Sequence, residues 1–196
     1  PGKVLAHERL IDALLEALLD RLSRLSIGHS LAENTDLGPI SNAAHLATLR
    51  SRIDDLRAHG ATIHQPAAPP ELGGFFLPPT VATGIPASRA TAELFGPVIS
   101  LHAVSSDQEA VAAANAHPSG LDAYVFGGDL DRAITVGARV LAGEVRVNGA
   151  KVADLADNSA QSFWGPSGIG GHGPDESVRV FCGVRVVGVD SPDLPF

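Results

Sequence analysis

The stretch TAELFGPVIS, residues 91–100, places Glu93 two positions before Phe95, ahead of a Gly96-Pro97 break and an apolar run. A carboxylate at the lip of a strand accepts hydrogen bonds from two hydroxyl groups, and a phenyl ring beside it offers a flat apolar face. Together they suit a ligand that carries a sugar and a ring. The competing reading makes Glu93 a turn cap and Phe95 a core residue.

Other residues with chemical potential are few. The one cysteine, Cys182, lies in VRVFCGVRV, an apolar and strand-like setting. A thiol buried there has a raised pKa and is expected to be inert. One cysteine also excludes an internal disulfide and a cysteine-based zinc cage. The eight histidines are scattered, with no H-x-x-x-H pair, so no metal site is expected. His59 and His117 fall near expected helix ends, where the helix dipole favours them without any further role. The run GIGGHG at 168–173 does not follow a strand and open a helix, so it fails as a dinucleotide fingerprint.

The chain has 196 residues, 44% hydrophobic and 18% charged, with a formal net charge of −8. That composition belongs to a folded chain with a sizeable core. The negative charge argues against nucleic acid or an anionic membrane as partner. No run approaches the roughly 20 apolar residues of a membrane-spanning helix. The opening residues lack the pattern of a secretory leader, and a reducing cytoplasm is the expected location. The first residue is Pro1 rather than Met, which points to a processed or excised chain.

The elements that must hold Glu93 and Phe95 follow from hydrophobic spacing. Leu10, Ile11, Leu14, Leu15, Leu18, Leu19, Leu22 and Leu25 form one face of a helix over 7–25, with Gly28 just beyond it. Leu46, Leu49, Ile53 and Leu56 mark a second helix, closed by Gly60. ATIH is a short strand, and FFLPPTVATG is extended because each proline biases its predecessor away from helix. From Val98 the order is regular. VISLHAV is a strand, and SDQEAVAAANAH is a helix capped by Ser106 or Asp107. LDAYVFG is a strand, DLDRAITVGARVLAG a helix from Asp129 to Gly143, and EVRVN a strand. Helical connections of this length join parallel strands, so the class is α/β with a β-α-β-α-β core. A final strand is expected over VRVFCGVRVVGVD.

Taken in order, these motifs resemble the C-terminal half of the NAD(P)-dependent aldehyde dehydrogenase superfamily. PGKVLAHERLIDALLEAL resembles the family segment that follows the nucleophilic cysteine. IGHSLAENTDLGPIS, GFFLPPTV and ELFGPV resemble its D-x-GP loop, its F-x-x-PT strand and its E-x-FGPV motif. SGLDAYVFGGDLDRAITVGARVLAGEVRVNG is similar to its G-L-x-A-x-V-F to V-x-VN block. Only the last loop departs. Where the family has FGG-x-K, this chain has Phe163, Trp164, Gly165 and Pro166, with fewer residues before Ser167. Where the family has an Arg-Glu pair, it has Gly171 and His172.

The resemblance implies an aldehyde dehydrogenase-like catalytic domain over residues 1–182 and a C-terminal oligomerisation strand and tail over 183–196. It implies NAD or NADP as cofactor, with Glu93 on the nicotinamide ribose hydroxyls and Phe95 beside the nicotinamide. It places Phe163 and Trp164 at the substrate entrance, as walls of an aldehyde funnel or as core plugs. The family's nucleophilic cysteine and general-base glutamate would lie before Pro1, so this chain is expected not to be catalytic alone. Its expected partners are an aldehyde and either further copies of itself or a separate N-terminal half. The alternative is a non-catalytic assembly or regulatory subunit with the same fold.

Overall fold

The computed structural model describes residues 2–68, 71, 73–89, 93–149, 161–173, 178, 181 and 182. The chain forms two compact units, Pro1–His117 and Pro118–Phe196.

The first unit is built on a four-stranded sheet in the order β1-β4-β3-β2: β1 (Lys3–His7), β2 (Thr62–His64), β3 (Thr80–Thr83) and β4 (Val98–Val104). β4 runs parallel to β1 on one side, from Lys3↔Ser100 to His7↔Val104, and parallel to β3 on the other. β2 closes the edge antiparallel to β3. A strand with parallel neighbours on both sides must be apolar on both faces. VISLHAV largely meets that demand, with Val98, Leu101 and Val104 buried and His102 its one buried polar residue.

Helices cover the two faces. α1 (Ile11–Ser23) lays Ile11, Leu14, Leu15, Leu19 and Leu22 against Ala6, Val81 and Leu101. It starts later than its hydrophobic spacing predicts, because Lys3–His7 is a strand and Glu8–Leu10 a single 3-10 turn. α2 (Ala43–Ala58) begins where the Asn42 side chain accepts a hydrogen bond from the His45 N–H at 2.8 Å. Its Leu46, Leu49 and Ile53 pack with Leu77 and Val98. α3 (Asp107–Ala114) is capped by Ser106, which accepts from the Glu109 N–H, while the Glu109 carboxylate accepts from the Ser105 N–H and hydroxyl. Those bonds hold the Glu109 carboxyl below its ordinary pKa. The Lys3 ammonium donates to the Ala113 carbonyl at 2.7 Å, at the end of α3 where the helix dipole favours a cation.

The second unit is a β-α-β crossover. β5 (Asp122–Val125) and β6 (Glu144–Val147) pair in parallel, and α4 (Leu130–Gly137) joins them and packs on both. Asp129 caps α4 by accepting from the Arg132 N–H at 3.0 Å. α4 ends at Gly137 rather than running to Gly143. Gly143 instead lets two backbones meet: a Cβ there would run into the Ser162 carbonyl and the Phe163 Cα. β7 (Gln161–Ser162) and β8 (Gly171–His172) form a short antiparallel pair.

The α/β class and the parallel pairing are thus as expected. The division between sheets falls between β4 and β5 among the described residues. The strand expected over 178–190 is not what its described residues show. The Cys182 N–H donates to the Val178 carbonyl at 2.8 Å, a helical bond, and Cys182 is exposed rather than buried. The segment assigned to oligomerisation, 183–196, lies outside the described residues.

His102 is 1% exposed in the middle of β4. Its Nδ1 donates to the Ile85 carbonyl at 2.8 Å, and its Nε2 has no hydrogen-bond partner among the described residues. Burial lowers its pKa, the Ile85 bond raises it by less, and the charge of Lys3 adds to the lowering. The unfolded chain therefore binds a proton that the folded chain refuses. The sign follows: His102 costs nothing above the ordinary imidazole value of about 6.5, and stability falls as pH drops from there through the folded pKa. Denaturant unfolding between about pH 7 and about pH 5 should show this loss. His102→Asn, which keeps a donor for Ile85 but does not titrate, should flatten that slope. An unchanged slope would show that other groups carry it.

Candidate functional site

The loop between β3 and β4 is fixed from three sides. Leu94 packs into the cluster of Leu46, Leu49, Ile53, Leu77 and Val98. Two tight turns follow, with the Gly96 N–H donating to the Leu94 carbonyl at 2.8 Å and the Val98 N–H to the Gly96 carbonyl at 2.7 Å. The Pro97 carbonyl then accepts from the Thr80 N–H at 2.8 Å, which ties the loop to the start of β3. Because Leu94 points inward, its neighbours Glu93 and Phe95 point outward.

Phe95 is 79% exposed, so it is not a core residue. Glu93 is exposed, and its carboxylate has no hydrogen bond or ion pair among the described residues, so it caps no turn there. The loop thus presents an uncommitted carboxylate and a bare ring two residues apart, as a ligand joining hydroxyls to a ring requires. These two residues fit the group that the sequence resemblance implies for them.

Two contacts to α2 were not visible in the sequence. His45 Nε2 lies 2.7 Å from the Phe95 carbonyl. A carbonyl only accepts, so Nε2 carries the proton. Gly96 sits flat against the same helix: a Cβ there would lie 2.6 Å from Leu49 Cδ1.

In the second unit, Trp164 is 46% exposed and bridges to Gly120, which excludes the role of core plug for its whole ring. Phe163 is half-buried, and its ring lies against Gly168. The VN end of β6 is clamped by Asn148, which has φ +54, a region that asparagine tolerates. Its Oδ1 accepts from the Gly127 N–H and its Nδ2 donates to the Gly127 carbonyl, both at 2.9 Å. Among the described residues, no group of three or more His, Cys, Asp or Glu is placed to hold a metal, and no helix is long and apolar enough to cross a membrane.

Parallel strands joined by helices define an α/β protein. The aldehyde dehydrogenase family model matches residues 1–187, and the chain belongs to that family. It is 29% identical over 189 residues to an NADP-dependent succinate-semialdehyde dehydrogenase of Mycobacterium leprae, covering 94% of this chain and 40% of the relative. It is 34% identical over 152 residues to a betaine aldehyde dehydrogenase of Brucella anthropi, covering 74% of this chain and 31% of that one. A crystal structure of betaine aldehyde dehydrogenase from Staphylococcus aureus in complex with NAD+ superposes with a TM-score of 0.83 at 28% identity, over 92% of this chain and 37% of that one. The chain therefore spans well under half the length of these relatives.

The close fit of Gly96 on Leu49 predicts a cost for any side chain at 96. Leu49 is 2% exposed and has little room to move. Gly96→Ala should destabilise the first unit by about 1–3 kcal/mol through overpacking, measured by denaturant unfolding. Trimming the neighbour in Gly96→Ala/Leu49→Val should return part of that loss. A neutral Gly96→Ala would mean that the loop does not rest on α2 in solution.

Proposed function

We infer that this chain is the C-terminal region of an enzyme that oxidises an aldehyde to a carboxylic acid with NAD or NADP. The observation that carries this is the family match over 1–187, which spans the loop where Glu93 and Phe95 stand exposed on a fixed backbone. The NADP-dependent and NAD+-bound relatives support the cofactor class.

In this reading the Glu93 carboxylate accepts the two ribose hydroxyls and Phe95 limits how the nicotinamide ring can sit. The bound dinucleotide supplies the hydride acceptor. Trp164 and Phe163 are the chain's contribution to the wall that admits the aldehyde. The nucleophile is not found here. Aldehyde oxidation through a thioester needs a thiolate, and Cys182 is the one cysteine in the sequence. It is exposed, and among the described residues no histidine or other base is placed beside it to activate the thiol. The nucleophile and general base are therefore assigned to polypeptide outside these 196 residues. The working unit is a homo-oligomer of the longer protein, or a complex of this chain with one that carries the N-terminal half.

Two measurements test this. The 196-residue chain alone should produce no aldehyde-dependent reduced cofactor, and steady turnover by it would overturn the assignment of the nucleophile. In the protein that carries the N-terminal half as well, Glu93→Gln and Phe95→Ala should each lower kcat/KM for the cofactor. A charged hydrogen-bond acceptor is worth about 1.5–3 kcal/mol, so Glu93→Gln should cost about 10- to 100-fold. A wild-type kcat/KM for both variants would remove the loop from the cofactor site.

A further inference from the structure

Glu93 and Phe95 bind nothing useful unless their loop is held in one place. The loop itself supplies little rigidity. Its two internal hydrogen bonds close single tight turns, and Glu93, Phe95 and Gly96 are exposed. The carbonyl between the two turns, that of Phe95, is the one that would rotate if the loop reoriented. That carbonyl is held at 2.7 Å by His45, from an element 50 residues away in sequence.

His45 is well suited to the task. It stands in the first turn of α2, where its own N–H is bonded to the Asn42 side chain, so the Asn42 cap fixes the backbone from which the imidazole reaches out. One turn further along, Leu49 fills the space beneath Gly96. Leu46, adjacent to His45, is buried in the cluster that also receives Leu94. The helix therefore meets the loop at three consecutive residues: Leu94 through the core, Phe95 through its carbonyl, and Gly96 through close packing. Only the His45 contact is polar and directional.

We propose that His45 is the positioning residue of the candidate cofactor loop, acting through the Phe95 carbonyl to aim the Phe95 ring and the Glu93 carboxylate. This rests on the reading of that loop as the cofactor site. His45 touches no reacting atom in this role. It lowers the number of loop conformations from which the cofactor must select, so its effect falls on cofactor binding.

The test uses the protein that carries both halves. His45→Leu removes the donor and keeps a good helix former, with His45→Ala as the substitute should the leucine variant not fold. His45→Gln keeps an N–H of similar reach. Two readouts are taken: hydrogen exchange at the Gly96 and Val98 amides, and KM and kcat with NAD(P) as the varied substrate. A lost neutral hydrogen bond of about 1 kcal/mol is about fivefold, so His45→Leu should speed loop exchange and raise cofactor KM by about that factor or more. kcat should change less, and His45→Gln should restore both readouts.

Wild-type exchange and KM in His45→Leu would overturn the proposal. So would a glutamine variant as impaired as the leucine one. Failure of the underlying site reading looks different. In that case His45→Leu still loosens the loop, while Glu93→Gln leaves cofactor kinetics unchanged.

Discussion

The parallel pairing of β4 with both β1 and β3 is the constraint on which the rest depends. β4 lies between strands that begin at Lys3 and Thr80, so the sheet cannot close until distant parts of the chain meet. Such pairing is entropically slow to form and is secured by burial on both faces. Once β4 is fixed, Val98 lies in the cluster built by α2 and Leu77, and the residues immediately before it have little freedom. The outward display of Glu93 and Phe95 is a consequence of where β4 begins.

What was legible in the sequence was local. α2, α3 and α4 announce themselves by apolar spacing, and each carries its cap within one turn: Asn42, Ser106 and Asp129. β4 was legible because VISLHAV is mostly apolar, with Ser100 and His102 the exceptions. β1 was not, because five residues with no alternation run straight into a helix, and their strand character comes from a partner near residue 100. The end of α4 was misplaced for a related reason. Gly143 resembles a helix stop, but its use is to let the backbone at Ser162 and Phe163 approach, a contact no local pattern encodes.

The site divides the same way. Glu93 and Phe95 could be picked out by type and spacing, and both are exposed in the structure. His45 could not be picked out, because its role is a bond to a main-chain carbonyl and any residue offers one of those. Asn148 was visible only as part of a motif; its paired bonds to Gly127 give the reason for the residue type. Cys182 failed in the other direction. An apolar sequence context predicts burial, and the thiol is exposed, with the Cys182 N–H donating to the Val178 carbonyl.

An exposed carboxylate without a partner is inexpensive to keep, because water solvates it fully. In the cofactor-site reading proposed above, hydroxyls replace water around Glu93, so its net contribution is limited to about 1.5–3 kcal/mol. In that reading, further affinity comes from what surrounds the carboxylate. One source is the apolar area of Phe95, and the other is the low entropy cost of a loop already in place. The first is a property of one side chain. The second is a property of α2, of Leu94 in the core, and of Gly96 pressed on Leu49. If the proposed reading holds, a loop of three tethers whose two outward side chains have no partner among the described residues is a more economical ligand site than a buried ion pair would be.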